Sequence, residues 1–182
     1  PQNLEDSPPE VRRNRALTDP YEPGSTIKPF IVGPAMEQNI TKPNEIWPIP
    51  GKTWKTSYNR TITDVHAYGQ LSTWDVLVKS SNIGMSMLGE RMGNTRLYGA
   101  LHDFGFGRIT GVDLPGENPG KVNSLKQWSK YSTDSVAQGY ELMVTPMQLA
   151  RAFCAYANGG RLVDPRLVKG FLDAEGNIVS KT

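Results

Sequence analysis

The chain has 182 residues, a length that suits one domain and allows a serviceable core. With 20 Lys and Arg against 18 Asp and Glu the net charge is +2, which excludes a strongly basic nucleic-acid binder and an acidic disordered tail. No run approaches the roughly 18 apolar residues of a membrane span, and the single cysteine, Cys154, excludes an intrachain disulfide framework and a zinc knuckle.

Pro1, not methionine, opens the chain, and the polar stretch with adjacent Pro8 and Pro9 makes residues 1–13 an expected irregular leading segment. Both ends look cut, so residues 1–182 are expected to be a portion of a longer domain. Pro23-Gly24 reads as a tight turn, after which Ser25 opens an apolar-periodic helical run. Pro29 falls in or just past its first turn, where proline costs little. Pro34 would break an interior hydrogen bond, so this helix is expected to kink or end near Val32. A second helix starts at Ser72, with Asp75 three residues on, and runs through Trp74, Leu77 and Val78 to about Lys79. A third carries Met85, Leu88 and Met92 at helical spacing and is expected to stop at Gly93. Glycines and prolines between Phe104 and Gly120 read as a loop. Thr145, Pro146 and Gln148 form a capping box with proline at the first helical position; Leu149, Phe153 and Tyr156 follow on one face, and Asn158-Gly159-Gly160 ends that helix. Val163 to Leu172 reads as a strand, turned at Asp173-Ala174-Glu175-Gly176 into a second strand from Ile178. The expected chain is mainly helical with a late β-hairpin.

Two short stretches carry chemistry. A serine at a helix N-terminus lies near the positive end of the helix dipole, and a residue three positions on shares its face, so Lys28 can reach the Ser25 oxygen. The hydroxyl becomes a nucleophile only when a base takes its proton, and lysine serves only if burial or nearby positive charge leaves some neutral amine. An ordinary N-cap serine followed by an exposed lysine is the plainer reading of these four residues. Ser80-Ser81-Asn82 falls between two helices, where a hydroxyl and a carboxamide two residues apart can point into one cleft; a simple helix cap would use the same residue types.

Taken together, S-x-x-K followed by Ser-x-Asn resembles the signature of penicillin-recognising serine acyltransferases. The flanks sharpen this. Tyr21-Glu22-Pro23-Gly24-Ser25-Thr26-Ile27-Lys28-Pro29-Phe30 resembles the nucleophile segment of class B penicillin-binding proteins, as do the stretches Val78 to Gly84, Phe104 to Gly107, Gly111 to Glu117, Val144 to Ala150 and Ala157 to Gly160. The resemblance implies the α/β fold of penicillin-binding proteins and serine β-lactamases, an antiparallel sheet sandwiched by helices with an all-helical subdomain. It implies a D,D-transpeptidase in which Ser25 is the nucleophile, Lys28 the general base and Ser80 a proton shuttle, with Asn82 holding the donor peptide. It further implies peptidoglycan stem peptides and β-lactam antibiotics as ligands, a membrane glycosyltransferase partner and an inner-membrane anchor outside this stretch. No cofactor, metal or nucleic acid is implied.

The family's third motif, Lys-Thr/Ser-Gly, is missing. Lys181-Thr182 imitates its first two letters but follows a hairpin turn too closely, so this stretch is expected to be a partial transpeptidase domain that acylates slowly by itself. A β-lactam sensor or inactive scaffold stays open, as does a serine β-lactamase, although Asn82 stands where the class with a carboxylated lysine has an apolar residue. His66 and His102 have no ligand cluster around them. Cys154 is expected in the core beside Phe153, and Trp47, Trp54 and Tyr68 are either core or groove-lining.

Overall fold

The structure, a computed structural model, describes residues 5–181. Residues 1–4 of the expected leading segment and Thr182 lie outside the described residues. Within the rest of that leading segment one helical turn forms, α1 (Pro9–Arg12), because proline is well placed at a first helical position. α2 (Arg15–Thr18) follows, capped by Asn14, and buries Leu17.

The helical run begins at Gly24, one residue before the expected Ser25, and as a 3-10 helix, Gly24–Ile27, and not an α-helix; α3 (Pro29–Glu37) continues from it with Pro29 at its start. Contrary to expectation, α3 runs through Pro34 to Glu37. Phe30, Ile31, Val32, Pro34 and Ala35 are all buried, and tertiary packing of that kind outweighs one missing hydrogen bond. Phe30 sits at the centre, edge-on to Phe104 (4.9 Å), Phe106 (5.3 Å) and Phe153 (4.7 Å).

Between α3 and the next helix the chain makes four short strands that its pattern does not announce. β1 (Ile46–Ile49) pairs antiparallel with β4 (Gly69–Ser72), and β2 (Thr53–Lys55) pairs with β3 (Thr61–Thr63). Each is three or four residues long, too short for a clear period-2 signal, and Pro48 within β1 reads against a strand. α4 (Thr73–Val78) starts where the capping pattern placed it, with Ser72 Oγ accepting from Asp75 N at 3.0 Å.

α5 (Asn82–Asp103) is capped by Ser81 and does not stop at Gly93. That glycine leaves helical geometry at φ 75°, and the helix resumes beyond it, because Leu97, Ala100 and Leu101 are buried and carry the apolar face onward. The close approach of α5 to α4 depends on Gly84, whose position for a Cβ lies 2.5 Å from Val76 Cγ2.

The glycine-rich stretch after α5 is a loop, braced by Glu117, whose carboxylate accepts from Thr110 N and Gly111 N. β5 (Lys121–Val122) pairs with β6 (Leu142–Met143) across α6 (Ser132–Gln138). α6 packs on α5, where Gln138 Nε2 donates to Ser86 Oγ at 2.9 Å inside the core. α7 (Pro146–Ala157) has the expected capping box, Thr145 with Gln148, and Gln148 Nε2 also donates to Arg108 O and Pro119 O at 2.7 Å. The late hairpin forms as β7 (Gly170–Leu172) with β8 (Ile178–Lys181), its first strand far shorter than the expected Val163 to Leu172.

Candidate active site

Gly24 and Ser25 are held from below by the end of α6. Gly24 N donates to Gly139 O at 3.0 Å, and Gly139 stands in the left-handed region at φ 90°. A Cβ there would fall 1.9 Å from Gly24 O. The two backbones touch. In the 3-10 turn that follows, residues three apart eclipse one another, so Ser25 and Lys28 share an edge more directly than in an α-helix. Lys28 N closes the turn on Ser25 O at 3.3 Å. Ser25 itself is exposed.

Lys28 is buried, with 1% of its surface exposed. Its Nζ donates to Ser80 O (2.7 Å), Ser80 Oγ (3.0 Å) and Asn82 Oδ1 (2.9 Å). The three hydrogens of an ammonium thus meet three acceptors. Burial pushes this amine down to about 8 from an ordinary 10.5, and the Asp64 carboxylate pulls in the opposite direction. At pH 7 a group with a pKa of about 8 is neutral in roughly one molecule in ten, against a few in ten thousand for an unperturbed lysine. Ser80 takes φ 55°, a left-handed conformation that costs a serine free energy and is kept only where surroundings impose it. That twist is the conformation in which both its carbonyl and its hydroxyl meet Lys28. Of the four residues picked out from sequence, Lys28, Ser80 and Asn82 meet through hydrogen bonds. Ser25 joins them through the backbone of its turn.

One site residue escaped the sequence. Asp64, at the end of β3, is 3% exposed, and its carboxylate accepts from Ser81 Oγ (2.6 Å), Asn82 N (2.5 Å) and Ile83 N (3.1 Å). A lone aspartate 17 residues before its partner serine carries no spacing signal. Only the hairpin β2–β3 brings it there.

The model of the penicillin-binding protein transpeptidase domain family matches residues 1–182. The chain belongs to that family. It is 38% identical over 170 residues to the probable peptidoglycan D,D-transpeptidase PbpC of Pseudomonas aeruginosa, covering 93% of this chain and 30% of that protein. It is 37% identical over 161 residues to the peptidoglycan D,D-transpeptidase FtsI of Escherichia coli K12, covering 88% of this chain and 27% of FtsI. Among solved structures, penicillin-binding protein 3 of Mycobacterium tuberculosis in complex with aztreonam superposes with a TM-score of 0.84 at 33% identity, over 93% of this chain and 38% of that one. The transpeptidase domain of Burkholderia pseudomallei penicillin-binding protein 3 gives 0.83 at 32%, over 94% and 52%. The chain thus spans less than a third of these two curated relatives, and its fold is the α/β fold of the penicillin-binding-protein transpeptidases.

Other conspicuous residues of this transpeptidase-family chain divide cleanly. Trp47 is core: 4% exposed, its Nε1 donates to Thr73 Oγ1 at 2.8 Å, and the Arg91 guanidinium lies 3.9 Å over its ring. Trp54 and Tyr68 are half-buried, with Lys79 Nζ 5.9 Å from the Tyr68 ring centre. Cys154 is exposed, not core as expected. Gln148, Ala152 and Ala155 form the buried stripe of α7, and Cys154 falls two residues past Ala152, off that stripe. His66 is exposed, whereas His102 is half-buried against Tyr98 at 4.3 Å.

Proposed function

We propose that residues 1–182 carry the nucleophile side of a serine D,D-transpeptidase centre that cross-links peptidoglycan stem peptides and is acylated by β-lactams. The observation that carries this reading is the meeting of two sequence-distant motifs at one atom: Lys28 Nζ touches both Ser80 and Asn82, 52 and 54 residues away. In this reading neutral Lys28 takes the Ser25 proton as Ser25 Oγ attacks the carbonyl carbon of the penultimate D-alanine. The backbone N–H of Ser25 supplies one half of an oxyanion hole. The peptide C–N bond then breaks, the departing D-alanine amine receives its proton through Ser80, and an acyl ester stays on Ser25. Asn82 holds the donor peptide. An amine of a second strand attacks the ester, forms the cross-link and frees Ser25.

The whole protein then works at the outer face of a bacterial inner membrane beside a glycosyltransferase of the division or elongation machinery. The family's Lys-Thr/Ser-Gly motif belongs, in this reading, to a part of the domain beyond these residues, and without it residues 1–182 alone acylate slowly.

Peptide mapping of the full-length protein after treatment with a β-lactam is expected to find the adduct on Ser25. An adduct on Ser80 or Ser81 would refute the assignment. A long-lived adduct fits a transpeptidase, whereas rapid turnover of a chromogenic cephalosporin would make the protein a β-lactamase. The acylation rate is also expected to rise with pH and level off above about 8, because the base works only as the neutral amine and burial brings its pKa to that value. A rate flat from neutral pH through 9 would remove Lys28 from the role of base.

A further inference from the structure

The hairpin β2–β3 is tied to the Ser80-Ser81-Asn82 turn at several points. Its ladder continues one step beyond β3, where Asp64 N donates to Lys52 O at 2.9 Å, and this leaves the Asp64 side chain at the N-terminus of α5. There Oδ1 accepts from the backbone of Asn82 and Ile83, and Oδ2 accepts from the Ser81 hydroxyl. Asn82 Nδ2 donates back to Thr63 O at 3.3 Å. Ser81 is the local cap of α5, accepting from Gly84 N at 2.9 Å. Asp64 is therefore a second cap, delivered from another part of the chain. The first N–H groups of a helix lack intrahelical partners, and a carboxylate there gains from the dipole as well. A plain helix needs no more than Ser81. The additional anchor falls on the two N–H groups that fix where the Asn82 side chain leaves the backbone.

We propose that Asp64 is a positioning residue for acylation: by anchoring Ser81, Asn82 and Ile83 it holds the strained Ser80 turn in the conformation that presents Ser80 O, Ser80 Oγ and Asn82 Oδ1 to Lys28. The inference rests on the assignment of Lys28 as the base. The charge of Asp64 adds a second effect, since it favours the protonated amine and so opposes burial. The other charged groups on the elements packed around Lys28 are engaged elsewhere. Asp75 accepts from Ser72 Oγ, Lys79 lies over Tyr68, Glu90 faces Ser57, and Arg91 pairs with Glu45. Glu22 accepts from Glu141 N. Asp134, on α6, is the exception: its buried carboxylate has no hydrogen-bond partner among the described residues, and burial together with Glu90 raises its pKa to about 6 against the pull of Arg60.

The two effects separate in two substitutions of the full-length protein. Asp64→Ala removes anchor and charge, and acylation by a fluorescent penicillin is expected to slow about 10²-fold, the cost of an ångström-scale misplacement in a catalytic group. Asp64→Asn keeps an oxygen for the two backbone N–H groups but loses the charge and the acceptor for the Ser81 hydroxyl. Its plateau rate is expected to fall by less, and its acid limb, expected near 8 in the wild type, to move to lower pH. The sign follows from the charge: without the carboxylate, Lys28 gives up its proton at lower pH. The position of the limb does not depend on how much of the protein folds, so it reads the charge effect even if the alanine variant unfolds, and the plateau rate per folded molecule of the asparagine variant reads the loss of the Ser81 anchor. An Asp64→Asn variant with both the wild-type plateau and the wild-type limb, or Asp64→Ala acylating at the wild-type rate, would overturn the inference. Wild-type protein that is never labelled at Ser25 would instead bring down the functional reading beneath it.

Discussion

Lys28→Ala in the full-length protein is expected to slow acylation by a reporter penicillin by about 10²–10⁴-fold, the usual worth of general acid–base assistance. The substitution acts on the one side chain that joins the two motifs. It removes a buried amine, and it leaves Ser80 O and Asn82 Oδ1 without their donor. Ser80 is exposed and Asn82 half-buried, so water can take the place of the lost donor, and the variant also escapes the cost of burying an ammonium. Stability is therefore expected to change far less than rate, so a melting curve close to the wild type's should accompany the loss of labelling. The residual rate should also lose its rise toward pH 8, because the group whose deprotonation produced that rise is gone. A variant that still acylates within tenfold of the wild type would show that some other group takes the Ser25 proton.

Gly139→Ala is expected to damage the turn that carries Ser25, the proposed nucleophile, without touching Ser25, Lys28, Ser80 or Asn82. A Cβ at Gly139 would lie 1.9 Å from Gly24 O and 2.5 Å from Gly24 C, and these are backbone atoms that no rotamer change can move aside. The left-handed conformation of Gly139 adds about 1–2 kcal/mol of its own for any L residue. Overpacking of this kind typically costs about 1–3 kcal/mol more, and relief can come only by displacing the segment that presents Ser25. A loss of about 2–5 kcal/mol in stability is expected, together with a loss of acylation that persists at temperatures where the variant is folded. Gly176→Ala provides the comparison, since Gly176 has φ 85° and open space around its missing Cβ. It should show the conformational cost alone. Equal effects of the two substitutions on acylation would mean that the contact between Gly139 and Gly24 does not position Ser25.

Local chemistry made several elements readable from the chain alone. The capping box at Thr145 and Gln148, the Ser72 cap with Asp75, and the turn at Asp173 all form as their residue types require, because each depends on contacts within four or five residues. The strands between Ile46 and Ser72 were not readable. Their partners lie up to 26 residues away in the chain, as in the pairing of Ile46 with Ser72, and three or four residues hold too little pattern to announce a strand. Pro34 and Gly93 misled for a related reason. Each breaks a local rule, and in each the buried face beyond it, Ala35 in one helix and Leu97 with Leu101 in the other, makes continuing worthwhile.

The site divides along the same line. The sequence by itself determined two local spacings, a serine and a lysine three apart after a Pro-Gly turn and a Ser-x-Asn turn between helices; that the two belong to one site came only from the family resemblance. Only the tertiary structure decided how Lys28 behaves. Its three acceptors come from the turn at Ser80 and Asn82 and the opposing charge from Asp64, and a pKa depends on everything within a few ångströms in space, wherever it lies in the chain. The same holds for Gly139 beneath Gly24 and for Asp64 beneath Asn82. Both are close approaches between residues distant in the chain, and no periodicity encodes them.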